Sequence, residues 1–296
     1  MSIVDILRSK DLVDYIEELE LQTDGSYRCV CPLHSGAKNP TSFTVFPESN
    51  TWRCWSCDES GDIIGFVMAQ HQCSFSEAIE RLCDHYNLNV SKDQSYVKQQ
   101  SIAEKNEAAC KSYQAKLPTV VEYLRKRGFT DETIATYRFG WSSKLSALTL
   151  PLVDRYGRIV SFTYRFFEGD SKYKHGRNNE LFDKSTYWFN LVNARKLIKR
   201  KGRVWLVEGH LDAASAFQQG EPALAYLGII LSKEQLLSLK VLLQHLENIE
   251  VILVPDNDGK AAEKIPKVRQ MFLKHWPTAN LRVALMGECR THKDTL

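Results

Sequence analysis

The sequence contains no run of 18 apolar residues, so no helix is expected to cross a membrane. It also has no basic N-terminal segment followed by an apolar stretch, so no secretory signal is expected. Hydrophobic residues make up 43% of the 296 residues and charged residues 25%, an ordinary composition for a soluble globular protein. These features predict a cytoplasmic chain without a membrane partner, long enough for two or three domains.

The eight cysteines do not predict a disulfide framework, because the chain is long and has no leader. Metal ligation or free thiols are favoured instead. Two residues separate Cys31 from His34, and two residues separate Cys54 from Cys57. Three thiolates and one imidazole make a closed tetrahedral zinc site, and a hairpin predicted between the two pairs completes a zinc ribbon. Cys29 is a further thiol nearby, and a set of buried free thiols is the alternative.

The net charge of +3 conceals an uneven distribution along the chain. Residues 1–90 carry 6 Lys and Arg against 14 Asp and Glu, whereas residues 117–203 carry 18 against 8. The excess of ten positive charges in the later block is typical of a surface that binds a polyanion. Within it, Lys172, Lys174 and Arg177 interleave with aromatic side chains, which favours single-stranded nucleic acid. A solvated basic face without a partner is the alternative.

Two apolar runs of strand length end abruptly in carboxylates, the first at Glu208 and the second at Asp256 and Asp258. A helical pattern follows each run, as in a βαβ repeat, so the three carboxylates are expected to converge at one edge of a parallel sheet. Such a cluster suits Mg²⁺, and Asp294 is a candidate fourth carboxylate. The alternative is that these acidic residues simply end strands in solvated turns.

The patterns predict a chain of mixed class, α+β in its first parts and α/β at its end. Residues 1–90 are predicted to form the zinc ribbon with helices, and residues 91–116 a partly helical linker. Residues 117–202 are predicted to form a basic α+β subdomain, and residues 203–296 a catalytic subdomain with a parallel sheet.

Two sets of motifs resemble those of bacterial DnaG-type DNA primases, in the same order along the chain. The zinc pattern resembles their zinc-binding domain, and the acidic pattern resembles the Toprim part of their RNA polymerase core. The matching residues include Pro32, Pro40-Thr41-Ser42-Phe43, Trp52, Gly61-Asp62, Tyr123-Leu124, Arg127-Gly128, Phe139-Gly140, Pro151-Leu152, Phe182, Glu208-Gly209 and Asp256-x-Asp258-Gly259.

The resemblance implies a DNA primase that makes short RNA primers on single-stranded DNA from ribonucleoside triphosphates, with a replicative helicase as its partner. It implies Zn²⁺ and either Mg²⁺ or Mn²⁺ as cofactors. The implied catalytic residues are Glu208, Asp256 and Asp258. The implied magnesium ligands are Glu208, Asp256, Asp258 and Asp294. The residues implied to lie near template and nucleotide are Arg138, Lys172 and Lys184.

Two departures from the family pattern are visible. Thr295 and Leu296 follow Asp294, where these primases have a second acidic residue, and His210 replaces a usual aromatic residue. The compact length suits a phage or mobile-element form, or a truncated chain. The competing functions are a Toprim nuclease, which would cut DNA, and a DNA-binding repair module without catalysis.

Overall fold

The computed structural model describes residues 2–34, 37–90, 93–169, 172–228, 231–243, 246, 248–256 and 261–284. The chain divides into two compact units, residues 1–102 and residues 103–296. Within the described ranges, no helix has the length and apolar character needed to span a bilayer.

The first unit contains one antiparallel sheet whose five strands lie in chain order. Its elements are α1 (Ile3–Arg8), α2 (Leu12–Tyr15), β1 (Glu20–Leu21), β2 (Tyr27–Cys29), β3 (Phe43–Phe46), β4 (Thr51–Cys54), β5 (Ser60–Gly61), α3 (Ile63–His71) and α4 (Phe75–His85). The predicted hairpin is β3–β4, and its register pairs Val45 with Trp52. Asp62 caps α3, because its side chain accepts a hydrogen bond from the Gly65 N–H at 3.0 Å.

Three aromatic rings pack together in the core of this unit. Phe43 stacks on Trp52 with ring centroids 5.3 Å apart, and Phe66 meets both rings edge-on at 5.8 Å. The Trp52 indole N–H donates to the Asp62 carbonyl at 3.0 Å, so the polar atom of this buried ring is satisfied. The sheet and α3 are therefore packed together through Trp52.

Asn50 joins the β3–β4 turn to the N-terminal helices. It has a left-handed backbone (φ +48°), which asparagine tolerates better than most residues. Its side-chain nitrogen donates to the carbonyls of Arg8 and Lys10 at 2.9 and 2.8 Å, and its oxygen accepts from the Leu12 N–H at 2.9 Å. These bonds satisfy backbone groups at the α1–α2 connection.

The predicted linker is largely helical, as α5 (Gln94–Gln114). In the second unit, Cys110 of this helix is fully buried against Ile159 and Phe162. The Asn106 side chain donates to the Ile159 carbonyl at 3.0 Å. The C-terminal half of the helix is thus part of a folded core, although its sequence is rich in polar residues.

The first part of the second unit contains two short helices and a four-stranded antiparallel sheet, whose strands lie side by side in the order in which they occur in the chain. Its elements are α6 (Val121–Lys126), α7 (Asp131–Thr136), β6 (Gly140–Ser142), β7 (Ala147–Val153), β8 (Ile159–Phe166) and β9 (Tyr173–His175). A turn joins the two long strands β7 and β8, with Gly157 in the left-handed region at φ +80°. Asp154 closes this turn by accepting from the Arg158 guanidinium at 2.8 Å.

A parallel sheet follows, with strand order β11-β10-β12-β13. Its elements are α8 (Leu191–Lys201), β10 (Arg203–Val207), α9 (His210–Gln218), β11 (Ala223–Ala225), α10 (Lys233–Leu243), β12 (Glu250–Val254), α11 (Ala261–His275) and β13 (Asn280–Val283). Side chains of β10 alternate between two cores: Val204 and Leu206 lie in one, and Val207 lies in the other. The βαβ prediction and the mixed fold class are confirmed.

Candidate metal centres and nucleic-acid interface

The structure brings the four predicted zinc ligands together. The ligand atoms of Cys31, His34, Cys54 and Cys57 all lie within 4.8 Å of one another. The strands explain this, because β3 pairs on one side with the end of β2 and on the other with the end of β4. Cys29 is buried in the last position of β2, and among the described residues it stands outside this group.

Hydrogen bonds already favour ionisation of one thiol in the cluster. Burial opposes ionisation of Cys54, but bonds from the Cys57 N–H, His34 and the neighbouring thiols outweigh it and lower the pKa of Cys54 to about 7. Burial raises the pKa of Cys31 to about 12. A bound cation favours the thiolate form of every ligand, and three thiols with one imidazole fit zinc.

Two tryptophans of the ribbon have different environments. Trp52 is 2% exposed and belongs to the core, whereas Trp55 is 51% exposed. The Arg53 guanidinium lies 3.9 Å from the centroid of the Trp55 ring, and the Trp55 indole N–H donates to the Thr44 hydroxyl at 2.8 Å. Trp55 is therefore the ring that is held in place while much of its surface remains in solvent.

Glu208 and Asp256 meet at the carboxyl ends of adjacent parallel strands. The register pairs Val207 of β10 with Val254 of β12, so the residues that follow them lie at the same edge. The Asp256 N–H donates to one Glu208 carboxylate oxygen at 3.3 Å. Asp258 and Asp294 lie outside the described residues.

A lysine that the sequence analysis missed completes this edge. The ammonium of Lys264, on α11, lies 2.8 Å from each carboxylate oxygen of Glu208, and Lys264 is 8% exposed. The sequence does indicate that Lys264 faces the core, because it lies in register with two apolar residues of the same helix. Val268 and Phe272 follow Lys264 at intervals of four residues, and both are buried. A lysine in an apolar stripe predicts a buried cation that needs an anionic partner.

Gly209 permits a second carboxylate to approach the strand end. A Cβ atom at Gly209 would clash with the carboxylate of Asp212, which lies in the first turn of α9. The pKa of Arg127 is raised, because its interactions with Tyr123 and Asp212 outweigh the lowering effect of burial. Arg127 and Asp212 are thus a second charged group near this edge that sequence reasoning did not assign.

His210 occupies an aromatic environment, although it is not the aromatic residue that the resemblance led us to expect. Its ring meets Phe189 edge-on at 4.9 Å and stacks on His175 at 5.5 Å. The Thr163 hydroxyl is hydrogen-bonded to both histidines at 2.9 Å. Burial, aided by the charges of His175 and Lys184, lowers the pKa of His210 well below its usual value, so the ring stays neutral.

The three predicted template-binding residues have different surroundings. Lys172 is exposed next to β9, and its carbonyl accepts from the Phe166 N–H at 2.9 Å. Burial and, to a smaller extent, the charge of Lys184 lower the pKa of both His175 and His210, so Lys184 lies near these two rings. Arg138 is held by Glu107 of α5 through two bonds of 2.7 and 2.9 Å.

Residues 1–98 match the DnaG-type zinc ribbon family, described as the CHC2 zinc finger. The chain is 30% identical over 301 residues to the DNA primase of Thermotoga maritima, covering 86% of this chain and 52% of that protein. It is 28% identical to the DNA primase of Deinococcus radiodurans, covering 79% of this chain and 47% of that protein. The chain thus spans about half the length of the curated relatives it matches.

Solved structures extend the similarity across both units. One is the structure of the zinc-binding and RNA polymerase domains of the Aquifex aeolicus primase. The alignment covers 96% of this chain and 79% of that one, at 25% sequence identity and a TM-score of 0.55. The RNA polymerase domain of Mycobacterium tuberculosis primase DnaG aligns with 64% of this chain and 76% of its own, at 20% identity and a TM-score of 0.57, which supports the fold alone.

Proposed function

We propose that this chain is a DnaG-type DNA primase that synthesises short RNA primers on single-stranded DNA during replication. The carrying observation is that the chain contains both the four-ligand zinc cluster and, at adjacent strand ends of a parallel sheet, the acidic residues Glu208 and Asp256. The similarity to the zinc-binding and RNA polymerase domains of one primase runs through 96% of the chain. Ribonucleoside triphosphates, the DNA template and a replicative helicase are its proposed partners.

The acidic edge is the proposed catalytic site, in a Toprim arrangement. Glu208 and Asp256 follow adjacent strand ends there, and carboxylate ligands fit Mg²⁺ or Mn²⁺. Asp256, Asp258 and Asp294 would hold such ions. When bound, the ions would lower the pKa of the primer 3′-hydroxyl and stabilise the leaving pyrophosphate. Glu208 would orient or deprotonate that hydroxyl, or share in binding an ion.

The basic block, residues 117–203, is the proposed track for the template. Its excess positive charge attracts phosphates without reading base sequence. Lys172 is exposed beside β9, and the charge of Lys184 acts on His175, so we propose both lysines as contacts for template or nucleotide phosphates. We propose a bacterial or phage-infected cell as the setting of this activity.

Primer synthesis on single-stranded DNA with labelled ribonucleotides tests this function directly. Glu208→Gln and Asp256→Asn should each lower synthesis at least ~10²-fold, because acid–base and metal assistance contribute that much to rate. Affinity for single-stranded DNA should hold or rise, since each variant removes one negative charge. Glu132→Gln is the matched control, because Glu132 is an exposed acid of α7 and should retain full synthesis.

The same assay separates the competing functions. DNA cleavage without ribonucleotide incorporation would indicate a nuclease. Glu208→Gln protein that still makes primers at the native rate, or that loses only DNA affinity, would show that the carboxylates are not one catalytic site. A DNA-binding module without catalysis would then be the better description.

A further inference from the structure

A buried threonine connects three elements of the second unit. The Thr163 hydroxyl, on β8, is hydrogen-bonded to Nδ1 of His175 on β9 and to Nε2 of His210, the first residue of α9, both at 2.9 Å. Thr163 and His210 are both buried. A hydroxyl has a single hydrogen, so it donates to one ring nitrogen and accepts from the protonated nitrogen of the other ring. The three side chains therefore form one hydrogen-bonded unit, the threonine bridge, that needs every member.

The bridge supports a short edge strand. β9 has three residues and lies at the edge of its four-stranded sheet, paired with β8. Tyr173 and His175 lie on its inner face and alternate with the exposed Lys174. Both inward rings stack on the His210 ring, with centroids 6.0 and 5.5 Å away. The inner face of β9 therefore packs on the residue that begins α9, while the threonine bridge holds that residue to β8.

We propose that Thr163, His175 and His210 are positioning residues, and that their bridge holds β9 in place against the acidic edge. Lys172, beside β9, is a proposed phosphate contact, and Glu208 lies two residues before His210. Because β9 packs on the His210 ring, the bridge sets the spacing between these two functional groups. The replacement of the family's aromatic residue by His210 is then matched by the hydroxyl and the second imidazole. This inference rests on the proposed function, because it concerns how that site is assembled.

Amide hydrogen exchange of the zinc-loaded full chain tests the bridge without catalysis. The Phe166 N–H donates to the Lys172 carbonyl at 2.9 Å, and the Gly176 N–H donates to the Phe162 carbonyl at 2.8 Å, so these two amides report on both ends of the β8–β9 pairing. Thr163→Val leaves two ring nitrogens facing a methyl group, and should accelerate exchange at both amides by about 5- to 150-fold. Exchange in the β10–β12 pairing should stay unchanged, because the opening is local.

Primer synthesis then separates positioning from a purely structural role. Thr163→Val should lower kcat by ~10-fold or more, because small misplacements of functional groups are costly in rate. Its affinity for single-stranded DNA should stay within about threefold, since the attraction of phosphates survives a small displacement. Thr163→Ser keeps the hydroxyl and should restore most of kcat. Thr149→Val is the matched control: Thr149 of β7 is equally buried, and among the described residues its hydroxyl has no hydrogen-bond partner, so exchange and kcat should not change.

A double-mutant cycle shows whether the residues act as one unit. His210→Phe keeps a ring beneath β9 but removes the bond to Thr163, so it should match Thr163→Val. The double variant should be no worse than either single variant, within about threefold, because both changes break the same bridge. Additive losses, unchanged exchange at Phe166 and Gly176, or no recovery in Thr163→Ser would overturn the proposal. If Thr163→Val does not fold, as judged by circular dichroism, His210→Phe decides. A wild-type chain that makes no primers would refute the proposed function, whereas hydrogen exchange still decides the bridge.

Discussion

Trp55→Ala and Trp52→Ala should affect different properties of the protein. Trp55→Ala should mainly weaken DNA binding, whereas Trp52→Ala should mainly lower the stability of the ribbon. Trp52 is a core residue that stacks on Phe43 and donates to a backbone carbonyl, so its truncation should destabilise the ribbon by about 3–5 kcal/mol. Trp55 is half exposed, and its replacement should cost about 2 kcal/mol at most. That figure combines about 0.5–1 kcal/mol for the Arg53 cation–π contact and about 1 kcal/mol for the bond to Thr44.

The effect of Trp55 on DNA binding should be larger than its effect on folding. An aromatic ring that stacks on a base contributes about 1–3 kcal/mol to the affinity for single-stranded DNA. Trp55→Ala should therefore weaken binding by about 5- to 150-fold. Trp55→Phe keeps a ring at the same position and should retain most of the affinity.

Both properties can be measured on the zinc-loaded full chain. Urea denaturation gives the free energy of unfolding, and the fluorescence anisotropy of a labelled single strand gives the affinity. Folded Trp55→Ala protein with native DNA affinity would refute a stacking role for this ring. Trp52→Ala protein with native stability would refute its assignment to the core.

Three other outcomes follow from the structure. Cys54→Ser should lose bound zinc, by elemental analysis, and unfold the ribbon, because structural zinc contributes on the order of 10 kcal/mol to a small domain; one retained zinc per chain would contradict this. The affinity for single-stranded DNA should fall as salt rises, by roughly 0.7 log units per log unit of salt for each phosphate that residues 117–203 neutralise. An affinity that does not change with salt would show that these residues do not bind the DNA phosphates. Burial, aided by the charge of Lys184, lowers the pKa of His175 to about 4, below the usual value near 6.5. As the pH falls, the unfolded state therefore takes up a proton before the folded state does. The free energy of unfolding should fall as the pH drops from about 6.5 to 4. His175→Gln should reduce that slope in urea titrations by less than about 1.4 kcal/mol per pH unit, since the ring is partly exposed, and an unchanged slope would contradict the assignment.

The parallel sheet and the zinc cluster were predictable because their signals are local. Strand-length apolar runs followed by helical patterns define βαβ units, and ligand pairs with a spacing of two residues define a metal knuckle. The capping box at the start of α10 has an equally local signal, a serine followed three residues later by a glutamine. The Ser232 hydroxyl accepts from the Gln235 N–H, and the Gln235 side chain accepts from the Ser232 N–H.

The features that escaped prediction depend on contacts between distant segments. Lys264 and Glu208 are 56 residues apart, and neither residue identifies the other from local pattern. The family resemblance implied that Arg138 lies near the template, and nothing in the local pattern indicated that its guanidinium pairs with Glu107, in the segment predicted to be a linker. That segment contains few large apolar residues, yet Cys110 within it is fully buried, as its place in a helical pattern indicates.

The three hydrogen bonds of Asn50 have a consequence for the order in which the ribbon can open. Asn50 precedes β4 and Cys54 ends it, so one four-residue strand joins the α1–α2 connection to the metal knuckle. Zinc removal should therefore accelerate amide hydrogen exchange at Leu12 along with exchange in the knuckle itself. The N-terminal helices and the metal site would then behave as one cooperative opening unit, with β4 as its mechanical link.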